Sequence, residues 1–162
     1  MKLYKKLFFT SILLVVSYSA SAVEVIRATI TQTTSSSIDI ALYDIDAPVT
    51  VATFLNNIDT GTFDNIFFNR SITDFVIQAG GYSFDQTVKD GSFSYAGSGV
   101  FDGGLQPTPN NNSTIQNEFK RSNLRGTLAM AKPGDSVSSS NEWFINLADD
   151  NTYLDTTGEG FT

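Results

Sequence analysis

A mainly β domain with a single helix is the fold class this sequence predicts, on three observations. Apolar residues alternate with period two in two adjacent stretches, Ile26, Ala28 and Ile30 and then Ile38, Ile40 and Leu42. Two short apolar runs, "GTLAMA" (126–131) and "EWFINL" (142–147), are bounded by turn-forming residues, as buried strands are. Helical periodicity occurs once, at Val51, Phe54, Leu55 and Ile58. With 162 residues and 41% apolar content, the chain can bury a core of its own.

Taken in order, the first 22 residues stand apart: "MKLYKK" is basic, "LFFTSILLVV" is a short apolar run, and small residues close it at "ASA". That pattern is a secretory signal peptide cut after Ala22, because the apolar run is too short for the roughly 20 residues a bilayer needs. Residues 23–162 then form one exported domain, most simply periplasmic, with no membrane partner after cleavage. The two alternating stretches flank the polar turn "TQTTSSS" and make an antiparallel hairpin. In "DAPVTVATFLNNIDTG", Pro48 suits a first helical turn and Gly61 a helix end, so one amphipathic helix covers a sheet here. Strands are expected at 65–72 and 75–78, followed by a polar, glycine-rich surface excursion from Gly80 to Asn117 with one short hairpin in it. "KPGDSVSSSN" reads as a turn between the last two strands. The chain ends at "GEGFT" without an element to close the sheet, and a C-terminally incomplete domain is expected.

Composition removes several kinds of chemistry. Losing Lys2, Lys5 and Lys6 leaves seven basic against seventeen acidic residues, a net charge of −10, which disfavours nucleic acid. It also fits a weakly associating, monomeric surface. There is no Cys for a disulfide, and no His for a catalytic triad, a histidine-ligated metal or an imidazole base. No metal or other cofactor is expected. The acidic "DDNTYLDTTGE" (149–159) fails the calcium-loop template, with Leu154 where glycine is required. "GSGVFDGG" (97–104) lacks the lysine and the strand-to-helix setting of a phosphate loop. "NNNST" (110–114) carries glycosylation sequons that mean little in a bacterial host.

One charge is out of keeping with its surroundings: Arg70, inside the apolar "IFFNRSITDFVIQAGGY" (66–82). From pattern alone, either it snorkels to water and pairs with Asp74 or Asp64, or it faces a binding groove.

Four blocks in order make the second reading specific. "APVTVATFLNNIDTGTFDN", "FFNRSITDFVIQAGGY", "NEFKRSNLRGTLAMAK" and "NEWFINLADDNTYLD" resemble the cyclophilin-type peptidyl-prolyl cis/trans isomerases in their exported bacterial form. The second block is similar to the family's F-H-R-x-I-x-x-F-x-x-Q-G-G motif and the fourth to its S-Q-F-F-I segment. The resemblance implies a closed eight-stranded antiparallel barrel with capping helices, the last strand and second helix falling beyond Thr162. It implies Arg70 as the catalytic residue, polarising the prolyl nitrogen. Phe75, Val76, Phe144 and Leu154 line the proline slot, Phe161 closes its far side, Gln78 hydrogen-bonds the peptide, and Ala131 and Lys132 hold the residue before proline through the main chain. Tyr153 and Glu142 complete the substrate-binding set. Departures from the family pattern are Asn69 for His, Thr73-Asp74 for Pro-Gly, Val76 for Met, Tyr153 for the Trp of some members, and Glu142 for Gln. That last carboxylate either pairs with Arg70 or weakens binding of a neutral peptide.

The expected activity is acceleration of Xaa-Pro rotation in proline-containing polypeptides as they fold after export. The barrier of roughly 18–20 kcal/mol is amide resonance, and raising a rate on the order of 0.1 per second to about 100 needs only ~4 kcal/mol. No covalent bond breaks, so a chain without His or Cys is competent. A proline-peptide-binding or chaperone-like module with little turnover is the alternative, and a ligand-binding β-barrel of unrelated origin the third reading. The structural counterpart for every aromatic named is ordinary barrel core.

Overall fold

The computed structural model describes residues 13–17, 24–31, 35–85, 92–94, 100–102, 104–107, 113–134 and 136–162, with side chains in 37–83, 113–134 and 136–162. Ala22 and the sequon asparagines lie outside these residues. β1 (Leu13–Ser17), β2 (Glu24–Thr31) and β3 (Ser35–Leu42) form a three-stranded antiparallel sheet in that order. β1 comes from the segment read as an export signal and takes the edge. The expected hairpin is β2–β3, with Ile26 paired to Ile40 and Ala28 to Ile38 in its register.

α1 (Pro48–Asp59) follows, with Pro48 in its first turn. Its free N-terminal N–H groups are not capped from within. Glu118, far along the chain, accepts from the Val49 and Thr50 amides at 3.2 and 2.8 Å and from Thr50 Oγ1 at 2.9 Å. A carboxylate there satisfies orphan donors and sits at the positive end of the helix dipole. The face carrying Thr50, Val51, Phe54 and Asn57 is buried.

β4 (Arg70–Ile72) and β5 (Val76–Ala79) make a tight hairpin whose corner, Asp74, adopts φ +54°. The strand expected at 65–72 is therefore shorter: Asn65 turns the chain at φ +58°, and Ile66 makes only an isolated bridge to Ser83. In place of the one short hairpin expected in the excursion over 80–117, the described residues hold two internal pairings and a strand that pairs outside it. β6 (Tyr82–Asp85) pairs with β9 (Gly104–Pro107), β7 (Ser92–Ser94) with β8 (Val100–Asp102), and β10 (Thr114–Gln116) with β12 (Val137–Ser139). β12 corrects the reading of "KPGDSVSSSN" as a plain turn. β11 (Leu128–Met130) and β13 (Trp143–Asn146) complete a four-stranded antiparallel sheet ordered β11-β13-β5-β4.

That sheet divides the molecule. One face, with Ala79, Met130 and Trp143, packs on Leu42, Val51, Phe54, Phe63 and Ile66 to form the main core. Its centre is aromatic: Phe54, Phe63 and Phe68 surround Trp143 at centroid distances of 6.2, 6.5 and 6.0 Å in edge-on geometry. The opposite face carries Val76, Ala129 and Phe144, joined by Leu154, Phe75, Ala131 and Phe161. Two 3-10 helices, Asn151–Asp155 and Thr157–Glu159, bring Leu154 and Phe161 into this second cluster. The architecture is mainly β and antiparallel, and among the described residues each sheet is open, with two to four strands.

Candidate active site

The register of the four-stranded sheet aligns Ala129, Phe144, Gln78 and Arg70 as successive cross-strand partners, so one row of side chains crosses β11, β13, β5 and β4 on the face away from the main core. A groove of about 350 Å³ opens over this row, lined by Arg70, Phe75, Val76, Gln78, Ala131, Lys132, Glu142, Phe144, Leu154 and Phe161. Ten of the eleven residues singled out from the sequence thus converge. Tyr153 does not reach the groove: it is exposed and stacks on Phe75, centroids 6.2 Å apart and planes 16° from parallel. Ser113, Pro133 and Ser139 also line the groove and carried no signal in the sequence.

Arg70 is half-buried and its guanidinium pairs with neither Asp64 nor Asp74. Nη1 donates to Gln78 Oε1 at 3.2 Å, and Cζ lies 5.4 Å from the centroid of the Phe75 ring. Gln78 in turn donates from Nε2 to Glu142 Oε2 at 2.9 Å. Glu142 therefore meets Arg70 only through an intervening amide, which corrects the direct pairing considered above. Burial pushes its carboxyl above the ordinary range, against the lowering effect of the Gln78 hydrogen bond. Its main chain is clamped as well, the carbonyl accepting from Ala131 N–H at 2.8 Å and the N–H donating to Ser139 Oγ at 3.0 Å.

The two glycines of "QAGG" give this corner its space. A Cβ on Gly80, which sits at φ +101°, would fall 2.0 Å from the Asn141 carbonyl oxygen, and one on Gly81 2.4 Å from Glu142 Oε1. The Glu142 carboxylate lies directly against the bare Gly81 backbone.

The apolar end of the groove is built by Phe144 and Phe161, edge-on at 5.7 Å, with Val76 and Leu154 buried beside them. Lys132 pins the chain that carries Phe161: its ammonium donates to the Gly158 and Gly160 carbonyls and lies 5.5 Å from the Phe161 ring centroid. Ala131 has its N–H bonded to Glu142 and its carbonyl accepting from Ser139 N–H at 2.7 Å. Main-chain contact with a peptide at Ala131 is thereby confined to the carbonyl's second lone pair.

A network of buried amides, invisible to periodicity, supports the groove wall. Asn151 donates to Asn146 Oδ1 at 2.7 Å and to the Phe75 carbonyl at 2.8 Å; Asn146 donates to Thr127 Oγ1 at 2.9 Å and Asn123 Oδ1 at 3.2 Å. Asn123 then donates to Asp155 at 3.0 Å and to the Phe161 carbonyl at 3.2 Å.

A larger apolar cavity, about 580 Å³, lies toward the main-core face and is lined by Ile38, Ile40, Phe54, Met130 and Ile145 among others. It holds none of Arg70, Gln78 or Glu142. The larger cavity also has charged lining, including Asp46, Glu118, Lys120 and Arg121, but the hydrogen-bonded Arg70, Gln78 and Glu142 beside an apolar slot lie in the smaller groove, which is the candidate site.

The family comparison agrees with this geometry. Residues 27–161 match the family model described as cyclophilin type peptidyl-prolyl cis-trans isomerase/CLD. The chain belongs to that family. Among curated relatives, it is 32% identical to peptidyl-prolyl cis-trans isomerase A of Dickeya dadantii (strain 3937), with 76% of this chain and 55% of the relative covered. Identity is 30% to a peptidyl-prolyl cis-trans isomerase of Acinetobacter baylyi, covering 74% and 54%, and 34% to peptidyl-prolyl cis-trans isomerase B of Escherichia coli K12, covering 78% and 66%. The chain thus spans between about half and two thirds of the length of these relatives.

Proposed function

We propose that this chain is a peptidyl-prolyl cis/trans isomerase, accelerating Xaa-Pro rotation in proline-containing polypeptides by stabilising the twisted amide. The observation that carries the reading is the half-buried Arg70 guanidinium aligned with Gln78 and Phe144 in one row, a fixed cation beside an apolar slot. As the prolyl nitrogen pyramidalises, its lone pair becomes an acceptor. A charged donor supplies about 1.5–3 kcal/mol to it in a partly dry groove. Val76, Phe144, Leu154 and Phe161 hold the pyrrolidine ring, and Gln78 and Ala131 meet the peptide backbone.

The same proposal takes residues 1–22 as an export signal and places the mature, monomeric domain in the periplasm, where exported chains fold. The leader pattern and the net charge of −10 after cleavage support this. Closure into an eight-stranded barrel also belongs here, supported by the family match over residues 27–161.

The test is the cis-to-trans rate of a short Xaa-Pro peptide with the wild-type chain and with Arg70→Ala, both shown folded by circular dichroism. The variant is expected to lose about 10- to 100-fold in kcat/KM, the weight of one charged hydrogen bond in the transition state. A folded wild-type chain that binds proline peptides without accelerating them would instead make this a non-catalytic binding module.

A further inference from the structure

We propose that Glu142 is a positioning residue for Arg70, acting through Gln78 to fix the polarity of a three-residue relay across the groove. The inference rests on the isomerase reading for its kinetic consequence, but the relay is a structural arrangement in its own right.

An ionised carboxylate accepts hydrogen bonds and an arginine only donates them, whereas a glutamine amide does either, depending on which way it is turned. Gln78 lies between the two, with Nε2 2.9 Å from Glu142 Oε2 and Oε1 3.2 Å from Arg70 Nη1. Turning the amide over would set its carbonyl against the carboxylate and its NH2 against the guanidinium, losing both bonds and adding two repulsions. Glu142 and Arg70 thus require the same orientation of Gln78, and Glu142 anchors from its far end the amide that engages the guanidinium at Nη1. A glutamine at 142 can turn either its oxygen or its NH2 toward Gln78, leaving Arg70 alone to set the Gln78 amide, so the second, reinforcing constraint is specific to the carboxylate.

The carboxylate is held in place independently. Its backbone is clamped to Ala131 and Ser139, and its Oε1 lies where only the bare Gly81 leaves room. The other ionisable side chains lining the groove are Arg70 on β4 and Lys132 after β11, both cations. Asp155, at the end of the first 3-10 helix, is engaged by Ser122 and Asn123 and does not line the groove. A weakly acidic transition felt at Arg70 thus belongs to Glu142. Protonating the carboxyl weakens the acceptor that Gln78 Nε2 meets and, with the proton on Oε2, sets a donor against it, so the hold on Gln78 from this side, and through it on the guanidinium, is loosened.

The experiment follows the Gln78 side-chain NH2 and Arg70 Nε–H resonances by nuclear magnetic resonance across pH 4.5–8, in wild type and Glu142→Gln. Xaa-Pro isomerisation is measured on the same samples. A shared inflection of both resonances in wild type, absent from Glu142→Gln, is expected. With it, kcat should fall about three- to tenfold through that inflection with KM within about twofold, while the variant stays flat. Resonances that ignore the ionisation of Glu142, or that titrate identically in the variant, overturn the proposal whatever the rates do. A shared inflection in a folded chain with no turnover at any pH would uphold the relay and overturn the isomerase reading instead.

Discussion

Glu142 illustrates how a single residue is pulled between stability and site geometry. Burial favours its protonated form, so its folded pKa lies above the unfolded value. By linkage its stabilising contribution is complete below the unfolded value of about 4.3 and is lost as pH rises through the folded one. Asp155 has the opposite sign. Burial raises it, but hydrogen bonds from Ser122 Oγ, Asn123 N–H and Asn123 Nδ2 outweigh that and hold it below the ordinary range. The stability it confers is present above the unfolded value of about 3.9 and disappears as pH falls through the lowered one. Urea midpoints measured against pH should therefore show two departures from wild type. Glu142→Gln is expected to gain stability at neutral pH, and Asp155→Asn to lose stability at neutral pH with a shallower decline in acid. A neutral-pH gain accompanied by slower catalysis would mark Glu142 as a residue kept for its site. Arg70 was legible in the sequence because a fixed charge in an apolar run demands a reason. The Asn123–Asn146–Asn151 network was not, since asparagine in a polar stretch gives no hint of burial, and all three are buried.

Secondary-structure elements were legible where their own side chains drive burial. α1 was readable from Val51, Phe54, Leu55 and Ile58, and β5 and β13 from their apolar runs. β12 was missed because it is built of serines: Ser138 and Ser139 are buried, held by a hydrogen bond from Ser138 to Asn117 and by the Ser139 N–H to Ala131. Small polar residues fit where two chain segments approach closely, and no hydrophobic alternation announces them. The same limit hid the cap of α1, which comes from Glu118 rather than from Ala47 before the helix. Glu118→Ala leaves the Val49 and Thr50 amides without this acceptor. It is expected to cost about 1–2 kcal/mol in a urea titration, with amide exchange accelerated first in the opening turn of α1.

For the whole molecule, the groove is assembled from parts far apart in sequence and only as firm as the links between them. The wall carrying Leu154 and Phe161 is tied to the sheet by Asn151 and Lys132, and the sheet to the main core by Trp143. Asn151→Ala strips the Phe75 carbonyl and Asn146 Oδ1 of a donor in a buried setting, at an expected cost of about 2–3 kcal/mol. Hydrogen exchange over 151–161 should rise beyond this global loss, and KM for a proline peptide should increase more than kcat falls. The antiparallel pattern and the position of the groove were within reach of the sequence; the pairings that sort the strands into separate sheets were not, because β6 to β10 carry little apolar alternation. The row Ala129, Phe144, Gln78, Arg70 has one more consequence. Its neighbours along the same strands, Met130, Trp143 and Ala79, point the opposite way into the core. A one-residue slip of β13 would turn Trp143 toward the groove face, and one of β5 would turn Gln78 into the main core. A chain that has paired its strands wrongly cannot keep an intact groove over a spoiled interior, so the groove itself reports that the sheet has assembled in register.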